Sequence, residues 1–264
     1  MLPVFGDKTA YVGRIMKALK LDGYMPELSG MYSFYRYSEV VFQDKALRER
    51  IKEQEFRSLF ATALPYLKID PGKPQEASDF FKEKIQEKVA NDIDSGLAVL
   101  RRQILEAAHS IFEKYLCHVV RVYLHTFPEI LIDIDRQIPF RTVAELMNNS
   151  SIFDHIVEVE VSHFSRRNLQ EKKTIWRLKH TNQDEVWSYE GEELWKDIDR
   201  KRQAIVHEED IPEITQDYLL KATTYLQRIM MGIAMNAQVD QGIKFTWATM
   251  SDYVKSKDRP TLKP

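Results

Sequence analysis

From Ser78 to Thr126 the chain runs for about fifty residues without a proline, and its apolar residues recur at helical intervals. Ile85, Val89, Ile93, Leu97, Leu100, Ile104, Ile111 and Tyr115 step by three, four or seven, which lays them in one stripe along a helix. So long a helix is expected to break or kink at Asp94-Ser95-Gly96. Elsewhere, too, the readable periods are close to 3.6 residues. Only nine glycines and ten prolines punctuate the 264 residues. The expected class is all-α, with at most a short extended piece.

The run Ile69-Asp70-Pro71-Gly72-Lys73-Pro74 cannot continue a helix, because proline lacks the N–H and clashes with the preceding turn. The main boundary is placed there. Residues 1–70 form a helical N-terminal extension, 71–77 a linker, 78–240 a helical bundle opening on the long helix, and 241–264 a C-terminal segment with a polar tail. Helices are expected over 8–20 and from Glu39 to Leu64 in the extension, then over 141–148, 151–179 and 191–208. Leu131 to Asp135 fits a short strand or an extended connector. Asp210 is the expected N-cap of the last helix, with Pro212 in its first turn and Glu213 at the capping-box position. That helix should run to about Gln238.

A formal net charge of −2 gives no global basic field, so any nucleic-acid binding must come from local patches. The single cysteine, Cys117, excludes an internal disulfide framework and favours a reducing compartment. No segment has the layout of a signal peptide or the length of a membrane span, so a cytoplasmic protein without membrane contact is expected. Gly-rich phosphate loops, nucleophile elbows and CxxC pairs are absent from the sequence, which leaves ATPase, serine-hydrolase and thiol-redox chemistry without residues. His109, His118 and His125 are spaced by nine and seven and lack the i, i+4 pairing of helical zinc sites. No metal and no cofactor are expected.

The chemistry is concentrated in Arg200-Lys201-Arg202-Gln203-Ala204-Ile205-Val206-His207. Arginine holds phosphate with a planar, permanently charged fork, and histidine moves a proton near neutral pH. On a helical wheel Leu194, Ile198 and Ile205 define an apolar arc, widened by Trp195 and Val206, and Arg202 falls inside it. Arg200, Gln203 and His207 make a row on the adjoining polar side. Arg202 and His207 are then roughly 140° apart around the axis. Fraying of the helix just before His207, or the meeting of two copies, would bring both to one phosphate.

This constellation resembles the HEPN superfamily of helical ribonucleases, whose signature is an arginine, a polar residue and, after a short spacer, a histidine at the end of a helix. Arg202, Gln203 and His207 occupy those places, and Lys201 to His207 echo the Arg-Arg-Asn-Ala-Ile-Val-His flavour of the RiboL-PSP branch. The resemblance covers roughly residues 78–238, with a longer amide, Gln203, where asparagine is usual. It implies a HEPN-like bundle with a long N-terminal helix and a homodimer whose two Arg–His pairs line one cleft. It also implies a toxin, antiphage or RNA-processing role, with an antitoxin or regulatory protein as partner. The expected activity is metal-independent endoribonuclease cleavage: Arg202 stabilises the phosphoryl oxygens, His207 serves as acid or base, and Gln203 orients. Arg200, Lys201, Arg166 and Arg167 are expected RNA contacts. The alternative is a catalytically silent helical module that binds RNA, nucleotide or a protein. Tyr32, Phe34, Tyr35 and Tyr37, around Arg36, fit base stacking or packing against the bundle.

Overall fold

The computed structural model describes residues 19–63, 74–131, 152–167, 189–207, 211–243 and 245–246. Among them the protein is all-α. Six α-helices are present: α1 (Leu21–Gln43), α2 (Lys45–Ala63), α3 (Pro74–Thr126), α4 (Ile152–Ser165), α5 (Tyr189–His207) and α6 (Gln216–Gln241). A 3₁₀ turn over Pro128–Leu131 follows α3. The one extended pairing is two residues long, β1 (Leu19–Lys20) parallel to β2 (Phe245–Thr246).

Several boundaries differ from the sequence reading. Leu19 and Lys20, expected at the end of a helix over 8–20, are extended; the rest of that helix lies outside the described residues. Residues 21–38 are helical although Gly23, Pro26 and Gly30 read as breakers. The reason is burial: Leu21, Leu28 and Tyr35, seven apart, are all sealed from solvent and outweigh the local propensities. The second helical region begins afresh at Lys45, because Asp44 leaves the helix and accepts a hydrogen bond on Oδ1 from the Leu47 N–H at 2.7 Å. Of the expected linker, 71–73 lie outside the described residues and 74–77 already belong to α3, which starts on proline. No break interrupts α3 at Asp94-Ser95-Gly96. The expected helix over 141–148, the part of 151–179 beyond Arg167, and all but the first residue of the strand expected at Leu131 to Asp135 lie outside the described residues.

The last helix starts later than expected. Residues 211–215 are not helical, and Thr215 is the cap: its Oγ1 accepts from the Tyr218 N–H at 3.2 Å and its carbonyl from the Leu219 N–H at 3.0 Å. At the other end Gly242 takes φ +68°, a conformation costly for a residue with a Cβ, and its N–H returns to the Gln238 carbonyl.

The described residues fall into two compact units, each assembled from stretches distant in sequence. The first comprises residues up to Pro26, Ser110–Lys196 and those from Tyr225 onward. Its core is the stripe Ile111, Phe112, Tyr115, Leu116 and Val119 of α3 against Leu226, Ile229, Met230 and Ile233 of α6, with Val157 and Phe164 from α4. Tyr115 donates a hydrogen bond to the Met230 carbonyl at 2.9 Å, and Arg121 meets Glu158 through two nitrogens, at 2.5 and 2.7 Å.

The second unit comprises Glu27–His109 and Asp197–Thr224. Here α1 and α2 run in succession antiparallel to α3. Glu39 meets Arg101, Arg48 meets Asp94, and Phe60 meets Phe81, so one partner's number falls as the other's rises. Tyr35 donates to Glu39 Oε1 at 2.6 Å and accepts from Arg101 Nε at 2.9 Å, which partners a carboxylate only 4 % exposed.

Candidate functional site

The residues that the sequence singles out for chemistry lie at the end of α5. It belongs to the second unit from Asp197 onward. Apolar residues at Trp195 and Ile198 set the buried side of this helix, and Ile205 continues it half-buried. Arg202 lies on that side. It is half-buried, and its Nε is sealed from solvent without a hydrogen-bond acceptor among the described residues. Donors in that state are rare because desolvation without a partner is costly.

His207 is the last residue of α5 and is exposed, as is Gln203. The helix does not fray before His207. Arg202 and His207 therefore stay roughly 140° apart around one axis, and the route to a shared phosphate through local unwinding is not taken. Within one copy the two groups point to different sides.

Arg200 and Lys201 are engaged one turn back on their own helix. Both bind Asp197, Lys201 Nζ to Oδ2 at 2.6 Å and Arg200 to Oδ1. Burial alone would raise the Asp197 carboxyl, but Lys201, the Tyr218 hydroxyl and Arg200 hold it below the ordinary carboxylate value. Lys201 Nζ also sits 4.2 Å from the centre of the Tyr218 ring. Burial first, then the neighbouring Asp197 charge, push the Tyr218 phenol far upward. Its sealed hydroxyl acts on that carboxylate from just outside full hydrogen-bond geometry.

Arg166 and Arg167 belong to the first unit, in the turn that closes α4, where their N–H groups bond the carbonyls of His163 and Phe164. Arg166 is exposed and Arg167 half-buried. Of the aromatic cluster, Tyr35 is fully buried and packs, while Phe34 and Tyr37 are 60 % and 73 % exposed.

Sequence reasoning missed one pairing near Arg202. His109, buried on α3, brings Nε2 to 3.5 Å from Asp199 Oδ1, just short of hydrogen-bond geometry. Asp199 and Arg202 are three apart on α5 and share a face. The burial of His109 alone had a signal, since it follows the buried Leu105 by one turn, whereas its pairing with Asp199 had none. The other two histidines of that helix have separate surroundings. His118 Nε2 accepts from the Lys20 N–H at 3.1 Å, and His125 lies 3.7 Å from Asp154. Among the described residues no three potential metal ligands come together.

No protein-family model, no curated protein and no solved structure matches this chain.

Proposed function

We propose that the protein is a metal-independent endoribonuclease in which Arg202 seats the scissile phosphate and His207 moves the proton, the two contributed by different copies of the chain. The observation that carries this reading is the sealed Nε of Arg202, without a partner among the described residues, on the helix that ends in an exposed His207. The half-buried side chain would turn outward to reach a phosphate, whose oxygen would supply the missing partner through a charge-assisted hydrogen bond. The RNA 2′-oxygen forms a bond to the neighbouring phosphorus and the bond to the 5′-oxygen breaks, leaving a 2′,3′-cyclic phosphate and a 5′-hydroxyl. Arg202 stabilises charge on the phosphoryl oxygens, and His207 takes the 2′ proton or supplies one to the leaving oxygen.

The likeness of Arg202-Gln203-x3-His207 to the HEPN signature supports the same reading, as does the all-α frame. It also suggests a toxin, antiphage or RNA-processing effector acting as a homodimer under an antitoxin or regulatory partner. Gln203 would orient His207 or the phosphate. Arg166 and Arg167 would add backbone contacts, and Arg200 and Lys201 would do so only on loosening from Asp197.

The test is complementation. Wild type should cleave mixed RNA in EDTA to cyclic-phosphate ends, and Arg202→Ala and His207→Ala should each be inactive. Mixing and re-equilibrating the two variants should restore about a quarter of wild-type activity, since half the dimers then hold one intact site of two. An inert wild type, or a mixture as dead as its components, overturns the proposal. The second reading, a silent RNA-, nucleotide- or protein-binding module, is favoured by the way Asp197 ties up Arg200 and Lys201. It expects RNA retention without cleavage.

A further inference from the structure

The antiparallel pair formed by α2 and the first part of α3 is unfinished as a core. Although Ile51, Phe56, Leu59 and Phe60 lie along α2, none of its described side chains is buried. A cleft of about 310 Å³ opens between the helices over an apolar floor of Val89, Ile93, Leu97 and Leu100. Gly96 leaves part of its wall bare, with nothing within 4 Å of where a Cβ would stand. Of the residues that line it, Phe42 and Leu59 are each 38 % exposed. A two-helix layer with this much open apolar surface needs another layer to cover it.

We infer that a second copy of the chain covers this face, α2 of each copy lying over α3 of the other in a two-fold, four-helix arrangement. Charge favours that pairing over its alternatives. Helix α2 carries five basic and three acidic residues, whereas residues 79–100 of α3 carry three basic and five acidic. Crossing α2 onto the other copy's α3 opposes net positive to net negative twice. Stacking α2 on α2 would repel. A strongly acidic or basic partner would meet one favourable and one unfavourable helix.

Area agrees. Nineteen residues of α2 give a face about 28 Å long, and two helices side by side are about 20 Å wide. With side-chain relief this approaches the roughly 800 Å² per partner of a stable interface. The α2 half of the surface lies outside the stretch that resembles HEPN ribonucleases, none of the cleft's lining residues is among the proposed catalytic ones, and the inference does not depend on catalysis.

Sedimentation equilibrium of the full chain at tens of micromolar tests it. Wild type should be a dimer. Leu59→Glu should raise the dissociation constant about tenfold or more, with helicity by circular dichroism unchanged. Because Leu59→Glu can also loosen α2, a charge pair supplies the second arm. Lys52→Glu should weaken the dimer, and adding Asp92→Lys should restore it. A monomeric wild type, or a dimer indifferent to Leu59→Glu and to both charge changes, overturns the inference. RNA cleavage is read separately, and its failure leaves this inference standing.

Discussion

The hydroxyl of Tyr35 sits between a carboxylate and a guanidinium that are both largely out of water. Burial, then the hydrogen bond to Glu39, push its pKa from 10.0 up to about 12, against the opposing pull of Arg101. A phenol whose folded value is raised contributes stability that is complete below about pH 10 and is lost as pH climbs through about 12. Tyr35→Phe removes this contribution and leaves Glu39 short of a donor. The variant should be less stable by about 1–3 kcal/mol at pH 8. Its deficit relative to wild type should shrink between pH 10 and 12. Urea unfolding of both proteins across that range checks the trend, since the other buried tyrosines are common to both. An undiminished gap at high pH would refute it.

At the scale of single helices, Gly242 offers the cleanest prediction. With φ at +68° and nothing within 4 Å of a built Cβ, the cost of Gly242→Ala is conformational alone. It should come to about 1 kcal/mol, or a melting temperature lower by about 2–4 °C. Helices α3 and α5 were legible in the sequence because apolar spacing and burial agree there. The start of α1 was not, because Gly23, Pro26 and Gly30 speak against a helix and only tertiary burial of Leu21, Leu28 and Tyr35 overrules them. The start of α6 was misread because Asp210-Ile211-Pro212-Glu213 imitates a capping box, while Thr215 does the capping. Within the candidate site, the depth of Arg202 could be read from the wheel. The nearness of His109 to Asp199 could not, because it joins residues about ninety positions apart that no local pattern links.

Across the whole chain, neither unit is a continuous stretch of sequence. The second needs Leu28, Tyr35 and Glu39 from before the proline-rich run as much as Ile104 and Leu105 from after it. Removing residues 1–70 would strip Arg101 of both its partners and bare that side of α3. A chain beginning at Pro71 should therefore lose its cooperative thermal transition or melt well below full length, as followed by circular dichroism. An unchanged melt would show that the first seventy residues are dispensable for folding.

An α5 that stays wound to its final residue also has a kinetic consequence. Side-chain rotation cannot swing Arg202 and His207 onto a common target from opposite flanks of one rod. On the ribonuclease reading, an isolated molecule is then inert by construction, and its potency rises with the square of abundance while molecules are scarce. Dilution alone keeps such an enzyme quiet, and synthesis beyond the encounter threshold releases it.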